Sequence, residues 1–305
     1  MSVGAVPATR RGRRLPSYRA RARRGRAIIH VVLLLISAAV MLPLVLVVSA
    51  SFTSENAIGQ YGYSLIPREF SLYAYQYIFQ SGAQILQSYG VSTLVTLVGS
   101  GLSLLVMALI AYPLSRADFA WRKPLSFYVF FTMLFNGGLV PFYILMTQYL
   151  HLQNTLVSLI LPYLVVPFYV LLLRTYFAGL PHELIEAAKL DGAGEWRIFF
   201  RIVVPLSTPA LATVGLFSML LYWNDWYQAL LFITDPNLTP LQYLLYQINT
   251  NINALGTNTQ TVGATVPSES GRMAMAVLAI GPVAGAFLFV QRYFVRGVAL
   301  GGLKG

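Results

Sequence analysis

Cysteine is absent from the 305 residues. No disulfide framework, thiolate metal site or cysteine nucleophile is available to this chain. Charge is scarce as well: 10% of the residues are Asp, Glu, Lys or Arg, against about 25% in an average soluble domain. With 57% hydrophobic residues, a soluble fold of this length could not clothe its surface. The phosphate-cradling pattern G-x-x-x-x-G-K-[ST] is missing, as are H-E-x-x-H and G-x-S-x-G. The chain therefore has no nucleotide-binding loop of that kind and no signature of a zinc peptidase or serine hydrolase. His30 and His151 have no companions at ligand spacing, which argues against a metal site.

The charge that is present is unevenly placed. The net charge is +11, and nine arginines with no acid fall within residues 1–26. The rest of the chain is close to neutral. A basic arm can bind nucleic acid, but an uncharged run starts at once after it. The arm thus reads as a cytoplasmic tail against anionic lipid, at about 1 kcal/mol per basic residue near the surface, with no nucleic-acid partner. The run 27–51 is longer than the apolar core of a signal peptide, about 7–15 residues. Although Val48-Ser49-Ala50 would be a passable cleavage site, the run is expected to remain as a first membrane helix.

About 20 apolar residues in a helix cross the hydrocarbon core of a bilayer. Runs of that kind lie near 27–50, 91–114, 125–149, 156–177, 209–233 and 273–294, and residues 70–115 and 124–173 carry no charge at all. Inside lipid every backbone amide must be satisfied within the segment, so these runs are read as helices. The expected fold is all-α, a polytopic membrane protein of six spans over 27–305, following the arm 1–26. With the N-terminus inside, all of the 21 basic residues except Arg68 and Arg272 fall on the cytoplasmic side. The positive-inside rule then gives a multi-pass protein of the cytoplasmic membrane with both termini in the cytoplasm. The outer loop 234–272 is expected to carry a short interfacial helix over 238–248, followed by an exposed loop over 249–270.

The loop 178–206 joins the fourth and fifth runs on the cytoplasmic side. Its residues 180–206 read LPHELIEAAKLDGAGEWRIFFRIVVPL. Pro181 suits a first helical turn, and 182–190 reads as a short helix with Leu184, Ala187 and Ala188 as its inward stripe. Asp191-Gly192 can turn the chain, because glycine accepts positive φ cheaply. A second helix is expected over 194–203, stopped by Pro205. Glu183 and Glu186 offer carboxylates to a basic surface, and Ala187 and Ala188 let that surface come close. Composition alone leaves an ordinary amphipathic connector equally open.

The residues Glu186-Ala187-Ala188, then Gly192, then Ile202 and Pro205, resemble the EAA motif of membrane subunits of binding-protein-dependent ABC importers. The spacing agrees throughout, and Val204 in place of leucine is the one departure. Phe135 to Pro141 (FNGGLVP), Tyr222-Trp223-Asn224-Asp225-Trp226, Pro240-Leu241-Gln242 and the C-terminal stretch from Arg296-Gly297 to Leu303-Lys304-Gly305 resemble its carbohydrate branch. That resemblance implies a permease subunit for oligosaccharides or polysaccharide fragments. Glu183, Glu186, Ala187, Ala188, Asp191 and Gly192 would form the coupling element seated in an ABC ATPase subunit. It also implies two copies of that ATPase, a second homologous permease, an extracytoplasmic sugar-binding protein and a carbohydrate substrate. ATP and Mg would be bound by the ATPase, leaving no cofactor in this chain. The alternatives are a self-contained secondary transporter or channel, which would need coupling charges in its spans and an internal repeat, and a membrane enzyme.

Polar side chains within the spans are costly unless they line a cavity. The fifth run holds Tyr222, Trp223, Asn224, Asp225, Trp226 and Gln228, which can hydrogen-bond sugar hydroxyls or stack on pyranose faces. The competing reading is packing, with Asp225 bonded to a neighbouring helix or paired with Arg272. In the third run, Asn136-Gly137-Gly138 and Pro141 interrupt a helix. That interruption reads equally as a kink lining a path or as close helix packing through small residues.

Overall fold

A computed structural model describes residues 17–257 and 267–301. Among these residues every regular element is helical, with an isolated antiparallel bridge between Thr53 and Phe70. In chain order the helices are α1 (Ser17–Ser51), α2 (Glu55–Tyr61), α3 (Tyr73–Ile78), α4 (Gly82–Ser115) and α5 (Arg122–Leu134). They continue with α6 (Leu139–Ile144), α7 (Leu156–Ile160), α8 (Pro167–Ala178), α9 (His182–Leu190) and α10 (Glu195–Ile198). The remainder are α11 (Val204–Leu206), α12 (Thr208–Trp223), α13 (Tyr227–Phe232), α14 (Leu241–Thr257) and α15 (Glu269–Gly301). The basic arm falls largely, and the end of the C-terminal stretch wholly, outside the described residues.

Two of these helices, the 28–51 part of α1 and the whole of α4, are long and apolar enough to cross a membrane unaided. Three more candidates are bent: α5 with α6 and its continuation to Tyr149 (110°), α7 with α8 (50°), and α10–α11 with α12 (82°). Among the described residues this gives two to five candidate spans; the interruption of the third run was expected, the bend in the fourth was not. Each bend has a local cause. After α5, Phe135 is extended and Gly138 takes φ 91°, while Asn136 Oδ1 accepts the Gly138 N–H at 2.8 Å. No atom lies within 4 Å of where a Gly137 Cβ would stand. The glycines therefore serve the chain reversal, and close packing is not what selects them. Before α8, Val166 is held extended by Pro167, as the residue before proline usually is.

Pro205 does not stop the helix after α10, as the sequence had suggested. A π-helical turn over Phe199–Val203 widens the hydrogen-bond ladder before the proline, and the chain bends at Ser207 instead. Such a turn relieves the clash between a proline ring and the carbonyl one turn back. The fifth run also breaks, at Asn224-Asp225-Trp226, so it is not one helix over 209–233. Asp225 Oδ1 accepts the Gln228 N–H at 3.4 Å. A short acidic side chain there competes with the helical ladder and starts α13 afresh. The helix α14 likewise runs further than 238–248, to Thr257, and residues 258–266 of the expected loop lie outside the described residues.

The core is organised around α4. Its buried face carries a row of small and polar residues (Ser88, Ser92, Thr96, Gly99, Ser103 and Ala111) at helical spacing. Small side chains let α8 and α12 approach closely. Met107, Ala111, Val170, Leu173, Phe177 and Val214 continue that contact as one apolar cluster. By contrast α1 packs against α15 and leaves its outward side bare, with Leu34 68% exposed. A contiguous apolar surface of that extent requires lipid or another helix.

The connections gather at two ends. At one, Asp118 after α4 meets Lys189 of α9. At the other, Gln84 bonds Pro236, Asn154 bonds Thr234, and Tyr63 bonds Glu269. There Glu55 of α2 caps α15: its carboxylate accepts Ser268 Oγ (2.8 Å), the Glu269 and Ser270 amides (3.0 Å each) and Ser270 Oγ (2.7 Å). Burial pushes the Glu55 carboxyl up, but these hydrogen bonds outweigh it and hold the group below the usual range. The connection between α1 and α4 is thus tied to the start of α15.

Candidate functional site

Two regions hold the residues that the sequence singled out. The first is the loop containing α9 and α10. The helix α9 spans the expected residues and ends on Gly192 at φ 74°. The Gly192 amide bonds Lys189 O at 3.0 Å and the Ala193 amide bonds Ala188 O at 2.9 Å. This is a Schellman closure, which needs a left-handed residue where glycine stands. The inward stripe differs by one position from the expected one. Ile185 is buried and Ala188 packs beside it, whereas Leu184 and Ala187 are exposed. The reason is the second helix: Ile198 and Phe199 of the following turn enter the same cluster as Ile185 and set the rotation of α9. Burying such aliphatic and aromatic side chains contributes roughly 1.5–3 kcal/mol each.

The closure brings Lys189 between two carboxylates, Asp118 Oδ2 at 2.8 Å and Glu195 Oε1 at 3.0 Å. Arg116 grips Asp118 with two N–H groups at 2.8 and 3.1 Å, and the Tyr112 hydroxyl donates to Glu195 Oε2 at 2.5 Å. The chain Arg116–Asp118–Lys189–Glu195–Tyr112 therefore joins α4, the turn after it, α9 and α10. Hydrogen bonds from Arg116 and Lys189 hold the Asp118 carboxyl far below its ordinary range. Burial raises that of Glu195, yet hydrogen bonds from Tyr112 and Lys189 bring it below the ordinary value. The same contacts raise Lys189. Both acids are depressed in the fold, so their stabilisation is present above about pH 4, the unfolded carboxylate range, and fades as the pH falls through the folded values. Hydrogen exchange over 182–198, corrected for intrinsic rates, is expected to stay unchanged from pH 8 to 5. Deprotection between pH 7 and 5 would remove the two carboxylates from this role.

Sequence reasoning missed Tyr112, Arg116, Asp118 and Glu195. One signal was available: Asp118 is the only acid between Glu69 and Glu183. Of the residues it did name, Glu183, Glu186, Ala187, Asp191 and Gly192 are all exposed, and Leu190 beside them is 90% exposed. They form a bare face directed away from the bundle, with half-buried Ala188 at its edge.

The second region is the break between α12 and α13. Asn224, Asp225 and Trp226 border a concavity of about 410 Å³ together with Tyr163, Tyr169 and Phe217. Asp225 accepts the Tyr163 hydroxyl at 2.9 Å, and Gln228 Nε2 donates to that same hydroxyl at 3.3 Å. The partner of Asp225 is thus Tyr163 and not Arg272, which instead holds Glu269 at 3.0 Å. Trp226 stacks on Tyr246, centroids 4.5 Å apart. Tyr222 and Trp223 turn the other way. Tyr222 is buried and donates to Ile160 O at 2.8 Å, and the Trp223 indole N–H donates to Ala279 O at 3.0 Å. Asn136 lies in the α5–α6 reversal, outside this group.

The model of the family described as "Binding-protein-dependent transport system inner membrane component" matches residues 17–300. Protein LplC of Bacillus subtilis (strain 168) is 38% identical over 271 residues, 88% of this chain and 91% of the relative. The polygalacturonan/rhamnogalacturonan transport system permease protein YtcP of the same organism is 38% identical over 280 residues, 91% of this chain and 97% of the relative. The crystal structure of a bacterial ABC transporter involved in the import of the acidic polysaccharide alginate contains a similar chain. It has a TM-score of 0.75 and 28% identity, covering 90% of this chain and 98% of that one. With the match running from α1 into α15, this chain belongs to the family of inner-membrane components of binding-protein-dependent transport systems, membrane-embedded permease subunits and not enzymes.

Proposed function

We propose that the chain is the membrane-spanning permease subunit of an ABC importer that carries oligosaccharides or polysaccharide fragments into the cytoplasm. The observation that carries this reading is the family match over nearly the whole chain, joined to relatives named for polysaccharide transport. The topology is six spans: α1, α4, the bent pairs α5–α6 and α7–α8, the broken run of α12 and α13, and α15. Alternate connections gathering at opposite ends support it, and the arginine-rich arm puts the α9 end in the cytoplasm.

In this reading the bare face of α9 (Glu183, Glu186, Ala187, Ala188, Asp191 and Gly192) seats in one of two ATPase subunits. A second permease completes the pathway, and an extracytoplasmic binding protein delivers the sugar. ATP and Mg sit in the ATPase. ATP moves the bundle only by binding one conformation better than the other. The network from Arg116 to Tyr112 makes α9, α10 and the end of α4 move as one body. The concavity at Asn224, Asp225 and Trp226 supplies hydroxyl partners and an indole face on the path, with Gln228 and Tyr163 holding the carboxylate in place.

The test is reconstitution with ATPase, second permease and binding protein in liposomes. ATP hydrolysis is expected to rise when the binding protein is loaded with oligosaccharide. Solute uptake by this chain alone would overturn the proposal in favour of a secondary transporter. In the same vesicles Asp225→Ala is expected to reduce uptake about tenfold, by leaving Tyr163 and Gln228 without their shared acceptor. The affinity of the binding protein for sugar should not change. Wild-type uptake by that variant would take Asp225 off the path.

A further inference from the structure

The segment 195–206 that follows α9 has two unlike faces. Its buried side chains, Ile198, Phe199 and Val203, enter the core cluster. At helical spacing on the other side, Trp196, Arg197, Phe200 and Arg201 are all exposed. Resting on the permease reading above, which puts this end in the cytoplasm, we propose that the outer face binds anionic phospholipid of the cytoplasmic leaflet. The two guanidinium groups take the headgroup phosphates, and the two rings sit at the level where the acyl chains begin.

The bend of the chain lays this face along the membrane. The segment Glu195–Leu206 meets Thr208–Trp223 at 82°. Spanning helices stand on average about 20° from the bilayer normal. With α12 crossing the bilayer, the segment before it therefore runs close to the membrane plane.

The chemistry of the face is that of an interfacial helix. The Trp196 and Phe200 rings stack with centroids 6.1 Å apart and planes 14° from parallel, and they are 68% and 50% exposed. Such a pair is poorly placed in water and well placed at the headgroup level, where tryptophan concentrates. Among the described residues, neither Arg197 nor Arg201 has an ion pair or a hydrogen bond. The acid beside them in the chain, Glu195, is taken by Lys189 and Tyr112. Unpaired arginines next to exposed rings suit an anionic interface, and a guanidinium grips phosphate in a two-pronged contact. Trp196 also borders a hollow of about 460 Å³ whose rim holds Arg116, Asp118 and Glu195. Its apolar wall of Leu109, Pro113 and Phe119 can receive part of an acyl chain.

The competing occupant is the ATPase. The exposed face of α9 carries Glu183, Glu186 and Asp191, whereas the face of 195–206 carries arginines. A protein surface basic enough to seat the first would repel the second. The loop is thus held by protein on α9 and by lipid on the segment after it, and the Arg116–Tyr112 network joins the two.

The experiment uses the complete complex of permeases and ATPases in phosphatidylcholine vesicles, with the other subunits free of cysteine. This chain has no cysteine of its own. Gly194→Cys, at a position where nothing lies within 4 Å of the Cβ, therefore carries a bimane label at the edge of the face. Phosphatidylglycerol or phosphatidylcholine with a nitroxide near the top of one acyl chain is titrated in, and quenching is read. Half-maximal quenching is expected at about tenfold less of the phosphatidylglycerol, the effect of two basic residues at a charged surface. Arg197→Gln with Arg201→Gln should remove that preference. Arg197→Lys with Arg201→Lys should keep most of it, because the attraction is to charge. Equal quenching by the two lipids, or a preference that survives the glutamine pair, overturns the proposal. Quenching that appears only once the ATPase subunits are stripped away gives the face to the ATPase and overturns it as well. Stimulation of ATP hydrolysis by loaded binding protein is measured in the same vesicles. Where stimulation is present and the lipid preference absent, the lipid site alone falls and the permease reading stands.

Discussion

Gly192→Val is expected to abolish the stimulation of ATP hydrolysis by loaded binding protein while leaving the complex inserted and its basal hydrolysis intact. Gly192 sits at φ 74°, and nothing lies within 4 Å of where its Cβ would be. The penalty is therefore backbone strain and not a clash. A left-handed conformation costs an L-residue roughly 1–2 kcal/mol, and more for a β-branched one. The strain is relieved by opening the closure that sets Ala193 against Ala188. Opening it swings Glu195 away from Lys189 and frees α9 from α10. Force delivered to the bare face of α9 would then bend the loop and fail to move α4 and α12. Gly192→Asn is the control. Asparagine tolerates this region, so it should keep most of the stimulation. Full stimulation in the valine variant would mean that the turn is not in the force path.

The contrast between this loop and the α12–α13 break shows which features a sequence displays. The limits of α9 and the turn at Gly192 follow from local chemistry, namely Pro181, the helix formers after it and a glycine where the chain must reverse. The two regions of interest were legible for the same reason, since scarce polar residues stand out in an apolar chain. What the sequence hid depends on other elements. The rotation of α9 is set by Ile198 and Phe199, which share a cluster with Ile185 from beyond the turn. Asp118 meets Lys189 across 71 positions, and no periodicity predicts such a pairing. The break at Asp225 carries neither proline nor glycine, so only the side chain's bond to the Gln228 amide reveals it. Tyr222 and Asp225 are three residues apart and of similar polar character on paper. One faces the helix packing and the other a concavity, because α12 ends between them.

That division gives the second large effect. Gly99→Val is expected to destabilise the bundle by about 3 kcal/mol, the upper range for overpacking a filled core. A Cβ at Gly99 would stand 2.8 Å from Cε1 and Cζ of Tyr222 and 3.0 Å from its Cδ1. The ring cannot step aside cheaply. Its hydroxyl is bonded to Ile160 O, its edge meets the Tyr163 ring at 5.8 Å, and it is 4% exposed. The alternative is to part α4 from α12, which would also loosen the Leu104–Gly215 contact one turn on. The variant should unfold at a temperature several degrees lower in size-exclusion stability assays, and Gly99→Val with Tyr222→Leu should recover part of the loss. Tyr222→Phe separates packing from transport. It removes one hydrogen bond, worth about 1 kcal/mol, and leaves the ring in place. If Tyr222 serves only the α4–α12 contact, that variant loses a little stability and transports at the wild-type rate. A transport defect at unchanged stability would instead return Tyr222 to the sugar path, and the concavity at Asp225 would have to extend behind α12.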